Sequence, residues 1–171
     1  LVLDGLKVNP NYKKRSVVPR YVWLTGGVGS YTNEKSAEFI AKKNAGVEGL
    51  YYDSVSRVEK TPFTICTKDE FLRHAQGNKL YMYGTTDFGK KGDIISGCIS
   101  GISMPDWGIV SYGMSHKIST DRVKRSVLKE MCYEYEIDRG EILPNPTERT
   151  EHVSCDEEKS YCIVVAAMII E

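Results

Sequence analysis

Ser54 is the residue whose setting most suggests chemistry, although no local motif marks it. It lies in the run GLYYDSVS, residues 49–56, which is aromatic and β-branched and so predicts a short buried strand. The chain then turns polar through Arg57, Glu59 and Lys60. Taken alone, Asp53-Ser54 is an ordinary pair at the end of a strand. Its interest comes from the elements that surround it in the chain.

A glycine-rich segment, GGVG at residues 26–29, directly follows a strand-like run. Such a segment between a strand and a helix could cradle a phosphate. Its spacing does not match GxGxxG and no Lys-Ser/Thr pair follows, so a nucleotide loop is not expected. The segment instead predicts a tight turn that lets the backbone approach another element closely.

Composition indicates one ordinary globular domain. The 171 residues include 23 basic and 23 acidic side chains, and this zero net charge predicts neither a nucleic-acid partner nor a membrane-surface partner. No apolar run reaches transmembrane length. The five cysteines are odd in number and none has CxxC spacing, which argues against a zinc site and a disulfide framework. Reduced thiols in a cytoplasmic protein, with no bound metal, are therefore expected.

The elements expected around Ser54 are short strands joined by tight turns, with three helices. Strands are predicted at residues 20–25, 47–55, 61–66, 79–86, 93–104, 107–117, 149–155 and 160–171. The helices are predicted to begin at Asn33, at Thr67 in a capping box with Glu70, and at Ser119 or Thr120. The last helix has an apolar stripe formed by Val123, Val127, Leu128, Met131, Tyr135 and Ile137. Short connections favour an α+β fold of mostly antiparallel sheets with helices on the outer faces. Residues 1–19 are predicted as an irregular lead-in to a single domain at 20–171.

Five stretches, taken in order, resemble the pyruvoyl-dependent arginine decarboxylases. They are TGGVG at 25–29, GLYYDSVSRVEK at 49–60, ISGCISGIS at 95–103 with WGIVSYGMS at 107–115, TDRVKRSVLKEMCYEYEIDRG at 120–140, and TEHVSCDEEKSYCIVVAAMIIE at 150–171. The resemblance covers roughly residues 20–171. No single stretch is diagnostic, and the specificity comes from their order and spacing.

The resemblance implies a four-layer αββα sandwich that assembles as a homotrimer, or a dimer of trimers, with active sites between subunits. It also implies that the chain cuts itself between Asp53 and Ser54, giving a β chain of residues 1–53 and an α chain of residues 54–171. Attack of the Ser54 hydroxyl on the preceding carbonyl would form an ester, and β-elimination and hydrolysis would leave a pyruvoyl group. That ketone would bind the amine of a small amino acid as a Schiff base and stabilise the carbanion left by loss of CO₂.

Several positions that the resemblance makes functional hold other residues here. Asp53 stands where the family usually has Ser or Thr, and its carboxylate would oppose an oxyanion on the adjacent carbonyl unless protonated or paired. Glu48 replaces an active-site asparagine, and a replacement acid and a loop carboxylate are equally good interpretations. Ser36 replaces the guanidinium-binding aspartate. Glu34 or Glu38 could stand in for it, although a solvated helix carboxylate is the preferred interpretation of both.

The pair Ser111-Tyr112 stands where the family has the Glu-Tyr pair that supplies the proton for decarboxylation, so only the tyrosine remains. His116 and His152 are further candidates for proton transfer, and the match of the tail favours a structural, hydrogen-bonded role for His152. Two functions stay open. One is a pyruvoyl-dependent decarboxylase acting on arginine or, given Ser36, on another amino acid or amine. The other is an unprocessed relative that uses the pocket between subunits for different chemistry or ligand binding.

Overall fold

A computed structural model describes residues 2–3, 6–7, 15–117, 119–139 and 144–171. Its three helices are α1 (Glu34–Ala45), α2 (Lys68–Ala75) and α3 (Thr120–Arg139). The longer strands are β4 (Tyr21–Tyr31), β8 (Leu80–Gly89), β9 (Ile94–Met104), β10 (Trp107–His116), β11 (Thr147–Ser154) and β12 (Ser160–Ile170). The short strands are β1 (Val2–Leu3), β2 (Leu6–Lys7), β3 (Ser16–Val17), β5 (Tyr52–Ser54), β6 (Arg57–Val58) and β7 (Thr64–Ile65).

Two main sheets form the centre of the fold. The larger sheet has the strand order β5-β8-β12-β4-β7 and the smaller has the order β10-β9-β11. Strands β8, β12 and β4 are antiparallel, whereas the short edge strands β5 and β7 pair in parallel with their neighbours. Strand β12 is buried along its whole length. Its continuously apolar sequence fits this position, because both of its faces are covered.

Three apolar layers separate the helices and sheets. Val22, Ile99 and Val165 belong to the layer between the two sheets. Helices α1 and α2 cover the outer face of the larger sheet, through side chains that include Ala37, Ala41, Ala45 and Phe71. Helix α3 covers the outer face of the smaller sheet through Val123, Val127, Met131 and Tyr135. The predicted α+β fold, a four-layer αββα sandwich, is confirmed.

The predicted helix starts are also confirmed, because their caps form as the sequence indicates. The Asn33 side chain accepts a hydrogen bond from the Ser36 backbone N–H, and α1 ends at Gly46, whose φ is 81°. Thr67 and Glu70 form the expected capping box at α2. The Arg122 N–H donates to Ser119 Oγ at the start of α3. Side-chain caps satisfy backbone groups that a helix end leaves open.

Replacing Thr67 with alanine removes the side-chain acceptor of the Glu70 N–H and the donor to Glu70 Oε1. We expect the free energy of unfolding to fall by about 1 kcal/mol. Urea titration followed by circular dichroism measures this loss. Thr67→Ser keeps the hydroxyl and serves as the control. Equal stability of the alanine and serine variants would contradict a stabilising role for the cap.

The glycine-rich turn predicted at residues 26–29 is wrong, because these residues lie inside β4. The glycines nevertheless permit the predicted close approach of another element. A Cβ on Gly27 would lie 2.6 Å from the Ala45 nitrogen, and one on Gly29 would overlap the Ala37 carbonyl oxygen. Helix α1 therefore packs directly on the β4 backbone, with alanines on its buried face.

The strand predicted at residues 47–55 is also too long, since only Tyr52–Ser54 is extended and paired. Gly46 and Gly49 have φ values of 81° and 84°, which turn the chain before the strand begins. Tyr51 is 96% exposed rather than part of a buried run. Similarly, the strand predicted at 61–66 reduces to Thr64–Ile65.

Two smaller predictions also need correction. Ile137, assigned to the apolar stripe of α3, is 62% exposed. The predicted irregular lead-in lies partly outside the described residues, which omit 1, 4–5 and 8–14. Where it is described it contains β1, β2 and β3, and Val17 is fully buried between the two sheets.

The five cysteines are all free thiols, four of them buried and Cys132 half-buried. None of the helices in the described ranges is both long enough and apolar enough to cross a membrane.

Candidate functional site

The Asp53–Ser54 bond lies in β5, at the edge of the larger sheet. Asp53 pairs with Tyr81 and Ser54 with Met82 of β8, so only one side of β5 is held by the sheet. Both residues are exposed. The bond is therefore accessible, and it lies on a short strand whose backbone pairs with one neighbouring strand of the sheet.

Two cations surround the Asp53 carboxylate. Lys79 Nζ lies 2.6 Å from Asp53 Oδ2, and Arg15 NH1 lies 3.9 Å from the same oxygen. Arg15 is positioned in turn by Tyr81, whose hydroxyl accepts a hydrogen bond of 2.8 Å. The hydrogen bond from Lys79, followed by its charge, lowers the pKa of Asp53 below its ordinary value. Asp53 is thus an ionised carboxylate at neutral pH, and it is paired rather than protonated.

Three candidate residues lie on α1 or directly after it. They are therefore on the outer face of the larger sheet, which does not pack against the smaller sheet. Ser36 is half-buried in the first turn of α1, where its N–H is bound to Asn33. The Glu38 carboxylate accepts a hydrogen bond of 2.8 Å from Lys42 and is therefore already engaged. Glu48 is exposed in the turn that follows α1, with its N–H directed at the Lys42 carbonyl.

Ser111 and Tyr112 point to opposite faces of β10. Tyr112 belongs to the layer between the sheets, where its ring meets the ring of Tyr83 edge-on at 5.0 Å between centroids. Ser111 is only 6% exposed. Among the described residues, no hydrogen bond from its hydroxyl is found.

A cleft of about 320 Å³ opens above Ser111, between α3, β10 and the segment that follows β5. Ser56, Tyr83 and Glu130 are among its lining residues. Burial, together with the nearby Tyr112 and Glu130, raises the pKa of Tyr83 to about 12. The Tyr83 phenol is therefore neutral in the physiological range, where it can donate a hydrogen bond but cannot serve as a base.

One chain brings together only part of the predicted site. Ser56 lines the cleft two residues after Ser54, so Ser111 lies near the same segment as the candidate scissile bond. Ser36 and Glu38 belong to the helical layer beyond the larger sheet, which separates them from Ser111. No sequence pattern singles out Lys79 or Glu130, because each occurs in the sequence as an ordinary charged residue. Their positions near Asp53 and in the cleft are apparent only in the fold.

The two candidate histidines have structural partners. His152 Nδ1 lies 3.1 Å from the buried Ser96 hydroxyl, so the predicted hydrogen bond is present. His116 Nδ1 lies 3.1 Å from Asp87 Oδ2, and its Nε2 lies 2.9 Å from the Phe88 carbonyl oxygen. His116 thus connects the end of β10 to β8.

Within the described parts of the chain, no group of three or more His, Cys, Asp or Glu side chains is placed to hold a metal ion. Comparison with protein-family models and with curated protein sequences finds no significant match.

Proposed function

We propose that the protein is a self-processing precursor of a pyruvoyl-dependent decarboxylase that acts on a small amino acid. The observation that carries this proposal is the Asp53–Ser54 bond, which is exposed on an edge strand beside an Asp53 carboxylate paired with Lys79. The αββα sandwich supports it as well, because the resemblance of the sequence implies that architecture.

The residues present fit the formation of a pyruvoyl group. In the first step the Ser54 hydroxyl oxygen adds to the Asp53 carbonyl carbon, and the Asp53–Ser54 C–N bond breaks to leave an ester and a free amine. Elimination of the Ser54 Cα proton and the Cβ–O bond then releases residues 1–53 as a carboxylic acid. Hydrolysis releases ammonia and leaves the ketone. When formed, that ketone supplies an electron sink for decarboxylation.

Lys79 offsets the negative charge that Asp53 places beside the reacting carbonyl group. An unpaired carboxylate beside the reacting carbonyl would destabilise the negative oxygen that develops there. The ion pair of 2.6 Å offsets that charge, and Arg15 adds a second cation at 3.9 Å. Charge compensation therefore comes from neighbouring cations rather than from protonation of Asp53.

The proposal also covers the oligomeric state of the protein, its substrate and its cellular location. Ser36, Glu38 and Glu48 lie away from Ser111 in one chain, so a trimer or dimer of trimers would supply them from a neighbouring copy. The engaged Glu38 and the serine at position 36 support an amino acid other than arginine as substrate. The five free thiols support a cytoplasmic location.

The proposal is tested by intact-mass measurement of the purified protein during prolonged incubation. We expect the 19.3 kDa chain to give two fragments, residues 1–53 and 54–171, the second beginning with a pyruvoyl group. Ser54→Ala is expected to remain whole, whereas the matched control Ser56→Ala is expected to be cleaved. Cleaved protein is then assayed for CO₂ release from a panel of amino acids. A single chain that persists in the wild type would overturn the proposal and favour an unprocessed ligand-binding protein.

A further inference from the structure

Strand β11 forms one edge of the smaller sheet, and its outer side is open. It pairs with β9 on one side, and among the described residues no strand and no backbone hydrogen bond occupies the other side. Five of its eight residues are exposed. An antiparallel strand directs the N–H and C=O groups of alternate residues away from its partner. The outer side of β11 therefore presents a row of backbone donors and acceptors that suits pairing with another strand.

The charges of β11 are arranged around Thr150 so that the strand complements itself. Arg149 precedes Thr150 and Glu151 follows it. When a second copy runs antiparallel with Thr150 opposite Thr150, each Arg149 lies opposite Glu151 of the other copy. Opposite charges in such cross-strand pairs stabilise a sheet, whereas like charges destabilise it. Shifting the register by two residues would place Arg149, or Glu151, opposite itself, so the charges favour the register centred on Thr150.

The contacts of Arg149 within one chain leave it able to bind a second carboxylate. Its Nε lies 3.0 Å from Glu151 Oε1, and its NH2 group donates to the Gly26 carbonyl oxygen at 3.3 Å. The two charged side chains, two positions apart, therefore lie on the same face of β11. A guanidinium group has five N–H donors, and the Arg149 side chain is 52% exposed. Arg149 can thus keep its present contacts and also donate to a carboxylate on a neighbouring copy.

We propose that β11 pairs antiparallel with β11 of a second copy, across a two-fold axis at Thr150. This pairing joins the two smaller sheets into one continuous sheet and satisfies the outward backbone groups of both strands. Each Glu151 carboxylate then lies between two guanidinium groups, one from each copy. The same surface serves both partners, so the contact closes on itself and does not propagate. It uses neither Ser54 nor the cleft above Ser111, and it does not rest on the proposed self-cleavage.

The test measures the molar mass of the full chain by light scattering after gel filtration. We expect the wild type to have twice the molar mass of Arg149→Glu, because that substitution sets like charges opposite each other in both cross-strand pairs. Glu151→Arg should also halve the mass. Combining Arg149→Glu with Glu151→Arg reverses both signs and should restore the wild-type mass. Lys43→Glu, the same reversal at an exposed residue of α1, should leave the mass unchanged.

Amide hydrogen exchange locates the contact within the chain. The β11 amides that point away from β9 should exchange slowly in the wild type and rapidly in Arg149→Glu. Equal masses of these two proteins would overturn the proposal, as would equal exchange in β11 or a double variant that stays at the lower mass. Circular dichroism confirms that each variant is folded.

The mass ratio of two is expected whether the unit that pairs is one chain or a trimer. Ser54→Ala, which cannot be processed, should show the same mass as the wild type. Pairing through β11 can therefore fail while self-cleavage is observed, and self-cleavage can fail while pairing is observed.

Discussion

Replacing Gly29 with alanine is expected to lower the free energy of unfolding by about 3 kcal/mol. The added Cβ would overlap the Ala37 carbonyl oxygen and the Ala41 nitrogen, and both atoms belong to the backbone of α1. A flexible side chain could rotate away from such an overlap, but a helix backbone cannot. The helix must therefore shift off β4, which disturbs the apolar layer that includes Ala37, Ala41 and Phe71.

Thermal unfolding of this variant measures the effect, with an expected fall in melting temperature of roughly 6–12 °C. Gly101→Ala is the matched control, because it also adds a methyl group to a buried strand. Its Cβ would meet Leu24 side-chain atoms at 3.6 and 3.7 Å and the Ile109 carbonyl oxygen at 3.8 Å, and all three distances are ordinary contacts. If the two variants lose the same stability, the close packing of α1 on β4 is not what requires glycine at position 29.

Replacing Lys79 with methionine is expected to slow the proposed self-cleavage about tenfold. The substitution keeps most of the length of the side chain but removes the ammonium group that lies 2.6 Å from Asp53 Oδ2. The Asp53 carboxylate then opposes the negative charge that develops on its own carbonyl oxygen. The measurement is the rate at which the intact chain disappears, followed by mass spectrometry at fixed pH.

Two controls make this experiment specific to the charge at position 79. Lys91→Met removes another exposed lysine, which lies 3.9 Å from Glu158, and it should not alter the rate. Asp53→Asn combined with Lys79→Met removes both charges and should restore much of the lost rate. A double variant as slow as Lys79→Met alone would show that Lys79 acts otherwise than by offsetting Asp53.

Local signals predict the elements of this fold well where the determining contacts are also local. The caps at Asn33 and Thr67 involve residues three positions apart, and the strands predicted at 93–104 and 107–117 are neighbours in the chain that pair directly as β9 and β10. The segment at 26–29 differs, because its conformation is set by pairing with β12 and by contact with α1. Glycine typically indicates a turn, and nothing within the segment itself shows that a helix will lie on it.

The candidate site shows the same division between local and distant contacts. Ser54 and Ser111 could be selected from the order of sequence stretches, and the fold places Ser111 near the segment that follows Ser54. Lys79 and Glu130 could not be selected, because their roles depend on contacts across elements. Lys79 meets Asp53 only because β5 pairs with β8, and Glu130 reaches the cleft only because α3 crosses β10.

The position of β4 between β12 and β7 determines how the two pieces of a cleaved chain would be held together. Strand β4 pairs with β12 along eleven residues on one side and with β7 on the other. Residues 1–53 contribute β4 and α1, whereas β7, β8 and β12 come from residues 54–171. The two pieces are thus interleaved within one sheet, and neither contains a complete core. Self-cleavage would convert one chain into two subunits of an obligate complex, which stay together through the hydrogen-bonded pairing of β4 with β12 and β7 and through the buried apolar layers.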